Sequence, residues 1–166
     1  CDVSIGLIGM NTYGVQEKNW GYRFIEKSGI DLRGFSSTTD LGIGFSKALN
    51  DINVSLQLVN GEGYSTFQAD KYHKIALNAT YGEQKLNKND GYNTGIVYST
   101  EGTDDDPKNM ISVFGGYAQR GIRVGAEYDI YQNLKDIENG LGDATFISFS
   151  ASYELKDDLD VFLRYD

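Results

Sequence analysis

Several residue types are nearly absent from this chain, and each scarcity excludes a class of protein. Cys1 is the single cysteine, so an internal disulfide framework is excluded. His73 is the single histidine, so no Cys/His cluster spaced for zinc exists. Pro107 is the single proline, and no stretch has the composition of a linker. There is no run of about 18 apolar residues, which excludes a transmembrane helix.

Charge and the placement of single reactive residues exclude further classes. The formal net charge of −9 argues against nucleic acid as a partner. His73 begins a predicted strand, and the sequence places no serine or acid to complete a catalytic triad with it. The acidic run 101–106 lacks the ligand spacing of a calcium loop, so we interpret it as a solvated outer loop. The sequence therefore predicts no enzyme, no cofactor and no metal site.

The chain instead shows an alternation of period two over almost its whole length. In 52–58, isoleucine, valine and leucine occupy every second position, with Asn, Ser and Gln between them. The same pattern recurs in 75–81, 122–128 and 147–153. Because successive side chains of a strand point to opposite faces, one face of the sheet is apolar and the other small and polar. This division is typical of a barrel with lipid outside and water inside.

The alternation predicts an all-β fold in a single domain over 1–166. We expect an antiparallel up-and-down transmembrane β-barrel, or a partial wall of one, with about nine strands. Most are about 9–11 residues long, the length that crosses a bilayer at a strong tilt. Helix is expected only as a turn near 15–27. The predicted strands are 2–10, 38–48, 52–60, 72–82, 91–99, 109–119, 121–131, 144–155 and 158–166.

The predicted connections alternate between tight turns and longer loops. Short turns at one rim and long loops at the other are typical of outer-membrane barrels, whose long loops face outside. An intermediate connection, 83–90, falls where a short turn is expected. The tight turns are 49–51, 119–121 and 156–158, and the longer loops are 11–37, 61–71, 100–108 and 132–143.

Tyrosines on the apolar face are predicted to form two belts. Amphipathic rings at both membrane interfaces stabilise a lipid-facing barrel. The strand propensity of tyrosine is the alternative explanation, but it does not account for rings at strand ends. The periplasmic belt comprises Tyr81, Tyr92, Tyr117 and Tyr153, and the opposite belt comprises Tyr98, Tyr128 and Tyr165.

Residues near the middle of the strands are predicted to face either the lumen or the lipid. Asn78, Arg123, Glu127 and Ser150 are predicted to face the lumen. The positions predicted to face lipid are Leu56, Leu77, Ile96, Val113, Val124, Phe149 and Val161.

The polar face also carries the candidate functional residues. Opposite charges across a watery pore would set a transverse field and discriminate solutes by charge. In a small closed barrel the same residues would instead pair into an internal plug, and both interpretations stay open. The pore-lining candidates are Lys74, Arg123, Glu127, Asp129, Glu154, Asp160 and Arg164.

Three short stretches add information beyond the alternation. The most specific is Val-Asn-Gly-Glu-Gly-Tyr at 59–64, which leaves a predicted strand. The second is Trp-Gly-Tyr-Arg-Phe-Ile-Glu-Lys-Ser at 20–28, and the third is Arg-Tyr-Asp at 164–166. Together they resemble bacterial outer-membrane porins, the broad group that includes the phosphate-selective porins. The resemblance implies a transmembrane barrel with a solute pathway, but it does not identify the solute.

The chain departs from that family at two points. The predicted strand number is odd, and Asp166 stands where such porins usually have an aromatic residue. We therefore expect a segment of a larger barrel, in which strand 158–166 does not pair with strand 2–10. A complete small barrel is the alternative. Cys1 could also be the lipidated first residue of a lipoprotein.

The predicted function is passive diffusion of small hydrophilic solutes across a Gram-negative outer membrane. Membrane lipid and those solutes are the expected partners, with further barrel strands or identical subunits as additional ones. The acidic charge predicts at best a weak cation preference, and Lys74, Arg123 and Arg164 are too few for the basic ladder of phosphate selectivity. The alternatives are a non-conducting structural or docking barrel, and a soluble ligand-binding barrel with its apolar face inside.

Overall fold

The computed structural model describes residues 1–68, 70–104, 106–136, 140–156 and 159–166. Within these ranges the chain forms nine strands and two short helices, which confirms the expected all-β fold. In chain order the elements are β1 (Asp2–Gly9), α1 (Gly14–Trp20), α2 (Gly29–Leu32), β2 (Thr39–Leu49), β3 (Ile52–Val59), β4 (Lys74–Gly82), β5 (Gly91–Glu101), β6 (Lys108–Gln119), β7 (Ile122–Asp136), β8 (Gly140–Lys156) and β9 (Leu159–Tyr165).

The strands form one antiparallel sheet in which each pairs with the next in sequence. The registers align apolar residues across neighbouring strands, since Leu56 on β3 pairs with Phe45 on β2 and with Leu77 on β4. In the part of the chain that the structure describes, no ladder joins β1 to β9, so the sheet is not closed into a barrel. This agrees with the expectation that the last predicted strand, 158–166, does not pair with the first, 2–10.

The two faces of the sheet differ as the alternation predicts. The outer face carries large apolar side chains that are exposed along every strand, such as Leu56 at 44% and Ile96 at 50%. The inner face carries mainly small and polar side chains, among them Thr80 and Ser112, which are buried. Of the seven positions predicted to face lipid, Val124 alone is half-buried and the others are exposed.

One predicted loop is wrong. The segment 132–143 was expected to be a long loop, but β7 continues to Asp136 and β8 begins at Gly140, with residues 137–139 outside the described ranges. The ladder shifts register between Tyr131 and Leu134, and Asn133 there has φ 59°. A β-bulge interrupts the alternation while the pairing continues, which explains why the sequence pattern stops early.

The two helices lie between β1 and β2. α1 overlaps the predicted turn at 15–27, and it ends at Gly21, which has φ 80° and donates its N–H to the Glu17 carbonyl. That left-handed conformation is one that glycine adopts without strain. α2 has four residues. Among the residues that the structure describes, no helix is long and apolar enough to cross a membrane.

The long connection 10–38, which carries both helices, is folded against the inner face of the sheet. We call residues 10–38 the inward segment. Its Tyr13, Val15, Ile30 and Phe35 are buried in the main apolar cluster of the protein. The sequence pattern predicted a long loop with one helical turn here, but not its packing on the sheet. This packing places the candidate site between the inward segment and the sheet.

Candidate functional site

A pair of glycines forms the floor on which α1 lies. Gly116 on β6 pairs with Gly125 on β7, and α1 packs on these two strands. A Cβ on Gly116 would come within 2.7 Å of the Asn19 side chain, and one on Gly125 within 3.2 Å of the Asn19 Cβ. The absence of side chains at both positions therefore lets the helix approach the sheet closely.

Amide side chains fix the register of α1 on the sheet. Asn19 and Asn93 exchange two hydrogen bonds, with Asn19 Nδ2 donating to Asn93 Oδ1 at 2.9 Å and Asn93 Nδ2 donating to Asn19 Oδ1 at 2.8 Å. Gln16 Nε2 donates to Ser112 Oγ at 3.3 Å. Buried polar groups that are paired in this way specify one arrangement, because a shift would leave them unpaired.

Apolar side chains of the inner face hold the rest of the inward segment. The Phe35 ring lies 5.0 Å from the Tyr131 ring, centroid to centroid. The sequence analysis missed these positions, although large apolar residues on an otherwise small and polar face were the available signal. The sheet residues of this cluster are Val97, Met110, Phe114, Tyr131 and Phe146.

A second attachment joins the inward segment to β9. Phe162 stacks on Tyr22 at 5.1 Å between centroids and meets the edge of Trp20 at 5.6 Å. The Arg164 guanidinium lies 5.2 Å above the Trp20 ring and donates from Nη1 to the Lys27 carbonyl at 2.6 Å. These contacts involve the stretch 20–28 that carries part of the porin resemblance.

Over β1–β4 the inner face is only partly covered: Met10 packs with Ile8, Val59 and Ala76, and Asn11 Nδ2 donates to Ser55 Oγ at 2.9 Å. Here a cavity of about 430 Å³ separates α1 from the sheet. Burial lowers the pKa of the Lys18 ammonium at its wall, and the nearby Lys85 ammonium lowers this pKa further. The polar side chains that line the cavity include Asn11, Lys18, Ser46, Asn53, Ser55, Gln57, Asn78 and Gln84.

The predicted pore-lining residues fall into four places. Glu127 and Asp129 lie beneath the inward segment, and Gly29 donates its N–H to Glu127 Oε1 at 3.3 Å. Lys74 is buried at the rim of the long connections. A polar cavity of about 310 Å³ lies at the opposite rim, and Arg123, Glu154 and Asp160 line it with other residues. Arg164 lies beside Trp20, as described above.

Basic residues on the inner face are each matched by a carboxylate or an aromatic ring. Lys74 Nζ lies 3.9 Å from Glu101 Oε2, and Lys108 Nζ lies 2.7 Å from Glu101 Oε1. Arg164 Nη2 lies 2.7 Å from Asp166 Oδ2. The Arg123 guanidinium lies 5.0 Å above the Tyr22 ring. The structure therefore brings together mixed charges and no continuous basic row among the described residues.

His73 and Asp104, from the two stretches considered above for catalysis and cation binding, lie in connections between strands. His73 is exposed just before β4, and Asp104 of the acidic run is exposed beside Lys71. Among the described residues, no three His, Cys, Asp or Glu side chains come together as metal ligands.

Comparison with protein-family models, curated proteins and solved structures finds no match to the chain. The function is therefore inferred from the two faces of the sheet and from the cavity.

Proposed function

We propose that this chain is part of the wall of an outer-membrane β-barrel that lets small hydrophilic solutes diffuse passively. The observation that carries the proposal is the exposed apolar outer face. Large apolar side chains stand exposed on all nine described strands and meet across the ladders, as Ile96 meets Val113 and Phe149 meets Tyr165. Soluble monomers rarely expose apolar patches larger than a few hundred Å², whereas lipid solvates such a face.

The positions of the tyrosines also support an outer face that contacts lipid. All seven rings assigned to the two belts are exposed, and they lie on the outer face. The Tyr81 and Tyr92 rings of the periplasmic belt lie 6.0 Å apart on neighbouring strands. Amphipathic rings at strand ends match the depth of the headgroups, so the apolar band between the belts is the part in contact with hydrocarbon.

The open edges of the sheet constrain how such a wall is completed. Within lipid, the unpaired backbone groups of β1 and β9 need partners. The eight antiparallel pairings make β1 and β9 run in the same direction. An odd number of further strands would therefore complete antiparallel pairing. Further barrel strands satisfy this condition, whereas identical subunits inserted in the same orientation would meet as parallel edges.

The cavity between α1 and β1–β4 is the proposed solute pathway. Its amide and hydroxyl groups favour water and uncharged polar solutes over apolar ones. The basic side chains of the inner face lie beside Glu101, Asp166 or the Tyr22 ring and form no continuous row among the described residues, so the proposal includes no phosphate selectivity. The net charge of −9 leaves at best a weak cation preference.

Conductance in planar bilayers tests this function. We expect reproducible steps after insertion of the complete barrel to which this wall belongs, with a cation preference that disappears at high salt because exposed charges are screened. A strong anion preference that persists at high salt would contradict the proposed selectivity. The absence of steps, with insertion verified by protease protection, would contradict the channel itself.

A non-conducting docking or structural barrel is the second candidate, and the inward segment is the observation that favours it. This segment fills the inner face of β5–β8 by apolar packing and paired amides, as a plug would. A soluble barrel of the lipocalin type is less well supported, because it needs its large apolar side chains inside. Absence of conductance together with tight vesicle insertion would favour the docking barrel.

A further inference from the structure

The turn 22–26 is the part of the inward segment that reaches β9. The chain lies over β5–β7 at Asn19, contacts β9 at Tyr22 and is back over β7 at Gly29. β9 is an edge of the described sheet, since no ladder runs along its other side among the described residues. The turn therefore lies where the described sheet ends.

Hydrogen bonds hold this turn in a defined position. Ile25 and Glu26 both donate their N–H groups to the Tyr22 carbonyl, at 2.9 and 3.2 Å. Trp20 Nε1 donates to the Glu26 carbonyl at 2.8 Å. The Tyr22 hydroxyl donates to Asp160 Oδ2 on β9 at 3.0 Å. These bonds close the turn on itself and attach it to β9, so its tip has one arrangement relative to the strand.

The tip of the turn leaves apolar side chains uncovered. Phe24 is 83% exposed and Ile25 is 50% exposed, whereas every other aromatic ring of the inward segment is at most 7% exposed. The Phe24 ring lies 6.0 Å from the Tyr22 ring, centroid to centroid. Tyr22 in turn stacks on Phe162, which is itself 44% exposed. A continuous apolar surface therefore runs from β9 to the tip of the turn, and a partner that buries it would stabilise the turn.

The backbone edge of β9 lies beside this surface and has no paired strand in the described sheet. Phe162 pairs with the buried Ser152 on β8, so its side chain stands on the inner face. A strand added along the free edge would place one inner side chain beside Phe162, about 5 Å away between Cβ atoms. All eight ladders of the sheet are antiparallel, so we expect the added strand to run antiparallel to β9. One strand would therefore pair with the backbone edge and cover the apolar surface together.

We propose that the turn 22–26 and Phe162 receive the next strand of the wall, an antiparallel strand with a large apolar side chain at the inner position beside Phe162. This assignment rests on the proposed function, because a wall within lipid needs a strand on this edge. The inward segment then covers that strand too, and it recognises the strand by an apolar residue on a face that is otherwise polar. A shift of the strand by one residue would turn this side chain toward lipid and leave Phe24 exposed, so the contact also fixes the register.

Binding of a synthetic strand to the full chain tests this docking surface. The chain is refolded into phosphatidylcholine vesicles and titrated with a peptide of about eleven residues, the length of a strand that crosses a bilayer. The peptide alternates leucine with serine and carries one phenylalanine at the central serine position, and a second peptide keeps serine there. A terminal 3-nitrotyrosine accepts excitation energy from Trp20, the single tryptophan, so quenching of Trp20 emission reports binding. We expect saturable quenching by both peptides, with the phenylalanine peptide binding about fivefold more tightly.

Two matched variants assign the contact. Phe24→Ala should remove most of the advantage of the phenylalanine peptide over the serine peptide, because the ring that receives the added side chain is gone. Phe67→Ala removes a comparably exposed ring from the connection between β3 and β4, so it should retain the advantage. Both rings are exposed, and we therefore expect both variants to refold as the wild type does.

The proposal would be overturned by the absence of saturable quenching or by equal affinity for the two peptides. It would also be overturned by the same advantage in Phe24→Ala and Phe67→Ala, which would show that lipid or another part of the chain covers Phe24. Quenching does not depend on conductance. A protein that binds the peptides as expected but does not conduct would contradict the channel alone, and a conducting protein without the Phe24 dependence would contradict the docking surface alone.

Discussion

The inner face has a covered half and an open half, and they differ in the size of the side chains at the inward-facing strand positions. Over β5–β8 the inner positions include Met110, Phe114 and Phe146, which pack against the inward segment. Over β2–β4 the inner positions are mainly small or polar, such as Ser55 and Asn78, and α1 stands off across a cavity of about 430 Å³. The same polar face therefore holds the inward segment over β5–β8 and lines a cavity over β2–β4.

This difference shows where the sheet obtains its internal stability. The large apolar side chains of the outer face are exposed and do not hold the inward segment. In the covered half, ring packing, a pair of glycines and a reciprocal amide pair hold the inward segment in one place. In the open half the contacts with the inward segment centre on Met10 and Asn11, so substitutions elsewhere along the cavity wall are expected to cost less.

The largest effect is expected from Phe114→Ala in the covered half. Phe114 is buried in the apolar cluster, and its ring fills the space above Gly95. Removal of a buried ring costs about 3–5 kcal/mol through lost burial and a cavity. The control Asn53→Ala, at a side chain that lines the open cavity, should cost less than about 1 kcal/mol. Urea unfolding in lipid vesicles measures both, and equal losses would remove the distinction between the halves.

A charge on the outer face should have the next largest effect. Leu56→Arg places a guanidinium at the middle of β3 and is expected to cost about 2–4 kcal/mol in a bilayer. Asn53→Arg lies on the same strand but points into the open cavity, so it should be tolerated. The same unfolding assay compares them, and similar stabilities would show that the outer face does not contact lipid.

Sequence alone predicts the sheet well because the alternation is a local signal. Each strand of β1–β6 needs only its own residues to show which face is apolar, and the observed strands lie close to the predicted ones. The local signal fails at two places: Val124 is half-buried although its parity predicts exposure, and the bulge near Tyr131 interrupts the alternation. Where the register shifts, pairing continues although the alternation does not.

The candidate site could be predicted only in part, because it depends on contacts between distant segments. The charged inner residues were identified from their parity on the strands. The sequence did not predict that these residues are buried, because the segment that covers Glu127 and Asp129 lies about 100 residues earlier in the chain. Large inner residues such as Phe114 were a usable signal for that cover. The amide pair between Asn19 and Asn93 has no counterpart in any local pattern.

A third, smaller effect is expected from the space available for a large side chain in each half. The sidedness pattern alone predicts that Ser150→Arg is tolerated as a lumen substitution. In the structure Ser150 is 8% exposed, and its Oγ lies near Gly125 beneath the inward segment. An inserted arginine should therefore cost about 1–3 kcal/mol by overpacking. Asn53→Arg is the matched control, and equal tolerance of both would indicate that the inward segment does not cover β8 in the bilayer.

The smallest expected effect is on ion selectivity, and it tests whether solutes pass through the open half. Lys18→Glu reverses one charge at the wall of the open cavity, while Lys71→Glu makes the same change on the exposed rim. The reversal changes the charge by two units, so the energy of an ion about 5 Å away in water changes by about 1.7 kcal/mol before screening. Lys18→Glu should therefore raise the cation-to-anion permeability ratio about tenfold at low salt. Lys71→Glu should leave the ratio nearly unchanged, because its side chain is exposed to solvent and does not line the cavity. Reversal potentials under a salt gradient measure the ratio, and a larger change in Lys71→Glu than in Lys18→Glu would place the pathway outside the cavity between α1 and β1–β4.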